Sequence, residues 1–261
     1  MKEMPIAKKS LGQHWLSDDG ALNAIVEAGQ VGGEDTVLEI GPGGGTLTRK
    51  LTERAGQVIA IELDKSLVTG LQKSAPTNLR VIEGDILTFD LTTLPPTYKV
   101  VANIPYYLTS HLLRVLSESS NPPHLCVLLV QKEVAERVAA KPGAMSLLSI
   151  TTQFYWQVSL GQVVQAKLFT PPPKIDSQIL KLERRTSLPL DVDTKQFFRL
   201  VKMGFAARRK TLLNSLSVGL RAGKAETTQL LEAAGLEPRT RPQELSLENW
   251  GEIYKRALPL L

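Results

Sequence analysis

One cysteine, Cys126, stands in a chain of 261 residues. It has no intrachain partner for a disulfide, so the fold must hold without one and needs no oxidising compartment. Three histidines, His14, His111 and His124, are scattered, and with a single thiol they offer no metal-ligand spacing, so no metal is expected. No apolar run reaches the roughly 18 residues that cross a bilayer. Met1–Leu16 carries basic residues but no uninterrupted apolar stretch, which argues against membrane insertion and secretion. A cytoplasmic protein, monomeric by default, is the expectation. Disorder is excluded by 43% hydrophobic and 22% charged residues, the usage of globular domains.

Short apolar runs alternate with amphipathic stretches over the first 140 residues or so. Val37–Gly41, Gln57–Asp64, Leu79–Asp85, Lys99–Ile104 and Leu125–Gln131 are apolar on both faces and predict buried strands. Thr46–Arg54, Lys65–Ser74, Thr109–Ser117 and Lys132–Ala139 predict the helices between them. Such alternation specifies a doubly wound α/β domain with a mostly parallel sheet. Ser146–Leu160 is β-prone, and with Gln178–Glu183 it predicts an antiparallel hairpin at the sheet edge. Thr186–Asp193, with Pro189 and no helical period, predicts a linker between domains 1–185 and 186–261. Beyond it, Thr194–Ser217, Ala225–Ala234 and Leu247–Leu258 predict a small all-helical domain. Gly235 would stop the second helix and Ser246 would cap the third.

Net charge is only +5, but it is unevenly placed. Lys195–Lys224 holds eight basic residues and no acidic one, leaving 23 basic against 26 acidic elsewhere. If Thr194–Ser217 is one helix, Lys195, Arg199, Lys202, Arg209 and Lys210 fall within an arc of about 100°. Phe197, Val201, Phe205, Leu212 and Leu216 occupy another, and Arg208 stands apart. A solvated face is one reading of such a run; a polyanion partner fits a block this one-signed better.

Val37-Leu-Glu-Ile-Gly-Pro-Gly-Gly-Gly-Thr46 puts glycines where the first strand should turn into a helix. A tight turn alone accounts for this, but glycines there also let a ligand lie against bare backbone. Thr46 stands where the dinucleotide pattern needs a third glycine, and no lysine follows at P-loop spacing. What remains is Glu39, Gly41, Gly43 and Gly45, a loop suited to an uncharged or zwitterionic ligand. Glu62 ends the second strand 21 residues after Gly41, where a carboxylate accepts from ribose hydroxyls; Asp64 beside it leaves open which acid does so. Asp85 ends the third strand, where it can accept from an exocyclic amine such as that of adenine. Either acid alone reads as a cap or surface group. Three successive strand ends together describe a nucleoside site.

Asn103-Ile-Pro-Tyr106 follows the fourth strand at the same edge. It could be a strand-ending turn with a surface tyrosine, but it also suits a specific chemistry. The exocyclic nitrogen of adenine is a poor nucleophile because its lone pair is delocalised into the ring. If the Asn103 side-chain oxygen and the Ile104 carbonyl both accept from that amino group, the nitrogen can pyramidalise. Pro105 removes a competing N–H and fixes φ, and Tyr106 can stack on an unstacked base.

The glycine loop with its acids resembles class I S-adenosylmethionine-dependent methyltransferases. That resemblance implies a Rossmann-like fold, with Glu39 near the methionine amino group, Glu62 on ribose and Asp85 on adenine. Asn103–Tyr106 with Tyr107-Leu-Thr-Ser110 is similar to the rRNA adenine N6-dimethylases. Lys9-Ser-Leu-Gly-Gln-His-Trp-Leu16 resembles that family's G-Q-x-F-L motif, with Trp15 for phenylalanine, and implies cofactor contacts from His14 and Leu16. Phe169-Thr-Pro-Pro-Pro-Lys-Ile-Asp-Ser177 resembles its F-x-P-x-P-K-V-D-S loop and implies that Phe169 closes on the base opposite Tyr106. Gly204-Phe-Ala-Ala-Arg-Arg-Lys-Thr-Leu-Leu-Asn-Ser-Leu216 resembles the signature of the small-subunit (KsgA, or RsmA) type. The resemblance thus implies an S-adenosylmethionine-dependent enzyme dimethylating two adjacent adenosines near the 3′ end of 16S rRNA. It would act on immature small subunits, with Lys202, Arg208, Arg209 and Lys210 on the RNA. An Erm-type 23S rRNA methylase and an assembly factor that acts by binding are the alternatives.

Overall fold

The computed structural model describes residues 7–8, 11–207 and 209–261 and divides the chain into two units. The first takes Met1–Glu136 and Trp156–Arg184. Its elements begin with β1 (Trp15–Leu16), α1 (Asp19–Ala28), β2 (Thr36–Ile40), α2 (Thr46–Thr52), β3 (Gln57–Glu62), α3 (Lys65–Gln72) and β4 (Leu79–Glu83). They continue with β5 (Lys99–Asn103), α4 (Thr109–Glu118), β6 (Leu125–Gln131) and α5 (Lys132–Val138), which leads the chain out. After the excursion come β7 (Trp156–Val164), β8 (Phe169–Thr170) and β9 (Ser177–Arg184).

Seven strands make the main sheet, ordered β4-β3-β2-β5-β6-β9-β7. The first five are parallel, and β9 and β7 add an antiparallel edge. This is the mostly parallel sheet with an edge hairpin that the apolar runs predict. Strand β6 is buried from Leu125 to Val130, the continuous apolar pattern of a strand covered on both faces. The order reverses between β2 and β5, the crevice at which open α/β sheets bind ligands. Helix α1, which the strand–helix reading passes over, starts at Asp18, whose side chain accepts from the Ala21 amide at 2.8 Å. It buries Ala21, Leu22, Ile25 and Val26 in a core shared with Val37, Leu47 and Val127. A separate two-stranded ladder pairs β1 with β8, Trp15 opposite Thr170 and Leu16 opposite Phe169.

The second unit takes Arg137–Tyr155 and Arg185–Leu261, so it begins in a segment that the boundary at 186 assigns to the sheet domain. It contains α6 (Leu147–Tyr155), α7 (Thr194–Phe205), α8 (Leu212–Gly219), α9 (Lys224–Ala233) and α10 (Leu247–Ala257). The β-prone stretch Ser146–Leu160 is therefore helical as far as Tyr155 and extended only from Trp156. Ser146 starts the helix: its carbonyl accepts from Ile150 at 3.0 Å and its hydroxyl from the Ser149 amide at 3.2 Å. Ile150 and Phe154, four residues apart, then share one buried face, and Phe154 stacks on Phe197 at 5.2 Å. Packing of that face outweighs the β preference of Ile, Thr and Phe.

The single helix predicted over Thr194–Ser217 is broken. The Leu212 amide donates to the Thr240 carbonyl at 2.8 Å, and Thr211 is extended. Lys195, Arg199 and Lys202 remain on α7, whereas Arg209 and Lys210 are exposed in the turn before α8, so the five-residue arc does not form. Arg208 lies outside the described residues, as do Lys9 and Ser10. The caps are as expected: Ser246 and Asn249 form a reciprocal capping box on α10, and Gly235, at φ +74°, follows α9. No helix among the described residues is long and apolar enough to cross a membrane.

Gly204 on α7 shows how tightly this unit packs. A Cβ there would run into the ring of Trp250, which is fully buried. Gly→Ala inside a helix normally stabilises by about 1 kcal/mol, but overpacking a rigid core costs about 1–3 kcal/mol. Gly204→Ala is expected to lower stability in urea titrations by about 1 kcal/mol. A stabilised variant would contradict this packing.

Candidate active site

Parallel register brings four strand ends to one edge. Ile40 of β2 lies opposite Ile61 of β3, Glu62 opposite Glu83 of β4, and Asn103 of β5 opposite Leu129 of β6. Beyond β2 the chain turns sharply, and the Gly41 amide donates to the Ile61 carbonyl at 2.9 Å. Gly41 and Gly43 have φ of +65° and +57°, a region L side chains rarely enter. A Cβ on Gly43 would also collide with the Trp15 ring. Thr46 Oγ1 donates to the Leu16 carbonyl at 2.8 Å, tying the N-terminal motif to this loop.

These ends surround a cavity of about 140 Å³ lined by His14, Leu16, Glu39, Gly41, Gly43, Glu62 and Asp85 among others. Asn103, Ile104, Pro105, Tyr106 and Phe169 line it too. Gly45 does not; it stands at φ +80° as the N-cap of α2, a structural turn. Lys202, Arg209 and Lys210 belong to the second unit. Glu62 and Asp64 differ in position. Asp64 caps α3 and pairs with Lys8 at 2.7 Å; that bond, with help from Ser66, holds its carboxyl down at about 2. Glu62 lines the cavity, its Oε2 accepting from the Gly43 amide at 3.1 Å and its Oε1 from the Asp64 amide at 2.9 Å. A carboxylate has roughly four acceptor positions, so capacity remains on both oxygens.

The cavity carries three carboxyl groups, and none of its described lining residues is lysine or arginine. Glu39 is 1% exposed, and its Oε2 has no hydrogen-bond partner. Burial pushes its carboxyl up to about 8; the nearby Thr48 hydroxyl opposes this and the Glu62 charge adds to it. A buried acid with one oxygen unpartnered, and no lysine or arginine among the described residues lining the cavity, keeps its proton.

At the β5 end, Pro105 (φ −57°) leads into a short 3-10 turn, Tyr106–Leu108. The Tyr106 hydroxyl lies 2.8 Å from Ser177 Oγ. The ring of His14 stacks on that of Tyr106, centroids 5.9 Å apart and planes at 22°. His14 Nδ1 sits 2.7 Å from the Pro171 carbonyl. A carbonyl only accepts, so Nδ1 carries the proton in that bond. The segments on either side of the glycine loop thus meet around one tyrosine. Residue-by-residue reading missed Thr46, Ser177 and the exposed Tyr107, which also lines the cavity. Tyr107 was already in view beside Tyr106 and Ser177 at the end of the Phe169–Ser177 motif, but the bonds that Thr46 and Ser177 make are visible only in the fold.

The Glu39 carboxyl has a consequence for stability. Its native pKa lies above the unfolded value, so between about 4.5 and 8 the native state holds a proton that the unfolded chain has lost. This contribution to stability therefore falls as pH rises through that window. Glu39→Gln is expected to match the parent near pH 5 and to exceed it increasingly toward pH 8 in denaturant titrations. A pH-independent difference would show that Glu39 is ionised throughout.

The ribosomal RNA adenine dimethylase family profile matches residues 5–257. A ribosomal RNA small subunit methyltransferase A from Dehalococcoides mccartyi is 45% identical over 250 residues, covering 94% of this chain and 86% of that protein. Among solved structures, a dimethyladenosine transferase from Plasmodium falciparum superposes with a TM-score of 0.81 at 28% identity, covering 95% of this chain and 98% of the other. The 23S rRNA methyltransferase ErmE does so with a TM-score of 0.74 at 27% identity, covering 93% and 98%. Sequence and fold agree along nearly the whole length, and the chain belongs to the ribosomal RNA adenine dimethylase family.

Proposed function

We propose that this protein dimethylates the N6 atoms of two adjacent adenosines in the 3′-terminal hairpin of 16S rRNA, on an immature small subunit in the cytoplasm, acting as a monomer. The observation that carries the reading is that Asn103–Tyr106 and the acidic strand ends line one cavity. The 45% identical relative bears a small-subunit name, which favours this substrate over the 23S RNA of the more distant ErmE.

The cavity suits S-adenosylmethionine. Glu39 offers a buried, unpartnered oxygen, Gly43 leaves open backbone where a side chain would collide, and three carboxyls face a donor bearing positive charge. When bound, that donor supplies a methyl group on a cationic sulfur, an electrophile with its own leaving group. Glu39 would hold the ammonium of its amino-acid part, Glu62 the ribose hydroxyls and Asp85 the adenine amine. Gly41 and Gly43 give close backbone approach, with His14 and Leu16 adding contacts from the N-terminal motif. Gly45 shapes the turn without entering the cavity. Asn103 Oδ1 and the Ile104 carbonyl accept from the target amine and so localise its lone pair, while Pro105 fixes the direction of that carbonyl. Tyr106 lies against one face of the base, and Phe169 bounds it from across the cavity. No strong base is needed, because the methylated nitrogen is cationic and sheds its proton readily. Orientation of this kind can supply several kcal/mol of the barrier.

Asn103→Ala should lower single-turnover methyl transfer by at least about 100-fold, the scale of losing one oriented acceptor pair, with S-adenosylhomocysteine affinity by calorimetry within about threefold. Loss of cofactor affinity instead would make Asn103 a binding residue. Changing Lys202, Arg209 and Lys210 together to glutamine should weaken RNA binding and lower the salt slope by about two, at roughly 0.7–0.9 per phosphate contact. An unaltered slope would place the RNA elsewhere. The reading as a whole is tested by mass spectrometry of RNA methylated in vitro. Dimethyladenosine is expected in immature small subunits and absent from naked 23S rRNA; the reverse would favour the Erm-type reaction.

A further inference from the structure

We infer that Ser177 is a positioning residue for Tyr106, holding the ring in the plane against which the target base lies. This rests on the reading of Tyr106 as the base platform. Tyr106 sits in a short turn rather than on a regular element, and its ring is only partly buried. By itself such a ring is free to rotate about two side-chain bonds. Its hydroxyl, however, meets Ser177 Oγ at 2.8 Å, from a residue 71 positions further along the chain.

Ser177 is a rigid anchor. It is fully buried, and its backbone is paired on both sides, with Gln131 of β6 and with Val164 of β7. The neighbouring Asp176 is held as well: its carbonyl accepts from the Lys132 amide at 3.0 Å and its carboxylate from the Ala166 amide at 2.9 Å. Movement of the Ser177 backbone would therefore require movement of the sheet, and the hydroxyl is left only rotation about one side-chain bond. At the other end, the face of Tyr106 is limited by the His14 ring, itself tied to the Pro171 carbonyl. The tyrosine is thus fixed at its tip by β9 and along one face by the N-terminal motif, which leaves the opposite face for a base. Serine is the smallest side chain that supplies a hydroxyl at this depth. Sites built on strands hold their geometry better than sites built on loops, and here the strand lends its rigidity to a loop residue through one bond.

A double-mutant cycle of Tyr106→Phe and Ser177→Ala tests this, read as single-turnover methyl transfer to small-subunit RNA with adenosine at the target position, and in parallel as the fluorescence of an RNA with 2-aminopurine there, which lacks the 6-amino group and reports stacking alone. Each single change should slow transfer about three- to tenfold, the size of one neutral hydrogen bond. The double variant should be no slower than either, with S-adenosylhomocysteine affinity unchanged. The fluorescence quench from stacking on Tyr106 should weaken in parallel. Multiplicative losses, or full rate in Ser177→Ala, would overturn the inference while leaving the platform intact. Full activity in Tyr106→Ala would overturn the platform reading and this inference with it. Tyr106→Phe, which leaves Ser177 in place, reports on the bond even if Ser177→Ala folds poorly.

Discussion

Parallel register is the constraint on which the rest depends. With β4, β3, β2, β5 and β6 running the same way and paired residue for residue, their carboxyl ends finish at one edge. Residues from 39 to 103 in the chain then become neighbours without any local motif bringing them together. Where the order reverses between β2 and β5, the loops leaving those strands diverge and open a crevice. A slip of one residue in any pair would turn Glu39, Glu62 or Asn103 to the opposite face of the sheet. The buried aliphatic side chains of β2, β3 and β6 hold the register because a slip would exchange them between two differently packed faces.

The second determinant is a set of acids without basic partners. Three carboxyls border a cavity with no lysine or arginine among its described lining residues, and one of them is buried with an orphaned oxygen. A protein that only needed to be stable would have an apolar residue there, because an unsatisfied buried polar group costs about 1–3 kcal/mol. Glu62 shows the contrast. It is also buried, yet both its oxygens take backbone amides. Two buried acids of the same type thus differ in how far their oxygens are satisfied.

The sheet was legible in the sequence because its strands are continuous apolar runs, and the glycine loop because positive φ demands glycine at 41 and 43. The site was legible where chemistry requires a particular group: Glu39, Glu62, Asp85 and Asn103 all line the cavity. Gly45, expected at the ligand, is the N-cap of α2 and stands outside the cavity lining; turn glycines and ligand-facing glycines look alike in a sequence. Ser146–Tyr155 misled through β-branched and aromatic residues whose helical face becomes visible only against Phe197. The break after Phe205 carries neither glycine nor proline, and it rests on an acceptor, the Thr240 carbonyl, far along the chain. The β1–β8 ladder and the Tyr106–Ser177 bond join residues more than 70 positions apart, beyond the reach of any local pattern.

Hydrogen exchange on addition of S-adenosylhomocysteine examines the central claim most directly, because it reads the strand ends without relying on turnover. Slowed exchange is expected in peptides covering residues 41–46, 62–64, 84–87 and 103–108, with residues 212–257 unchanged. Protection confined to other segments at saturating ligand would contradict a cavity built from the converging ends of β2, β3, β4 and β5.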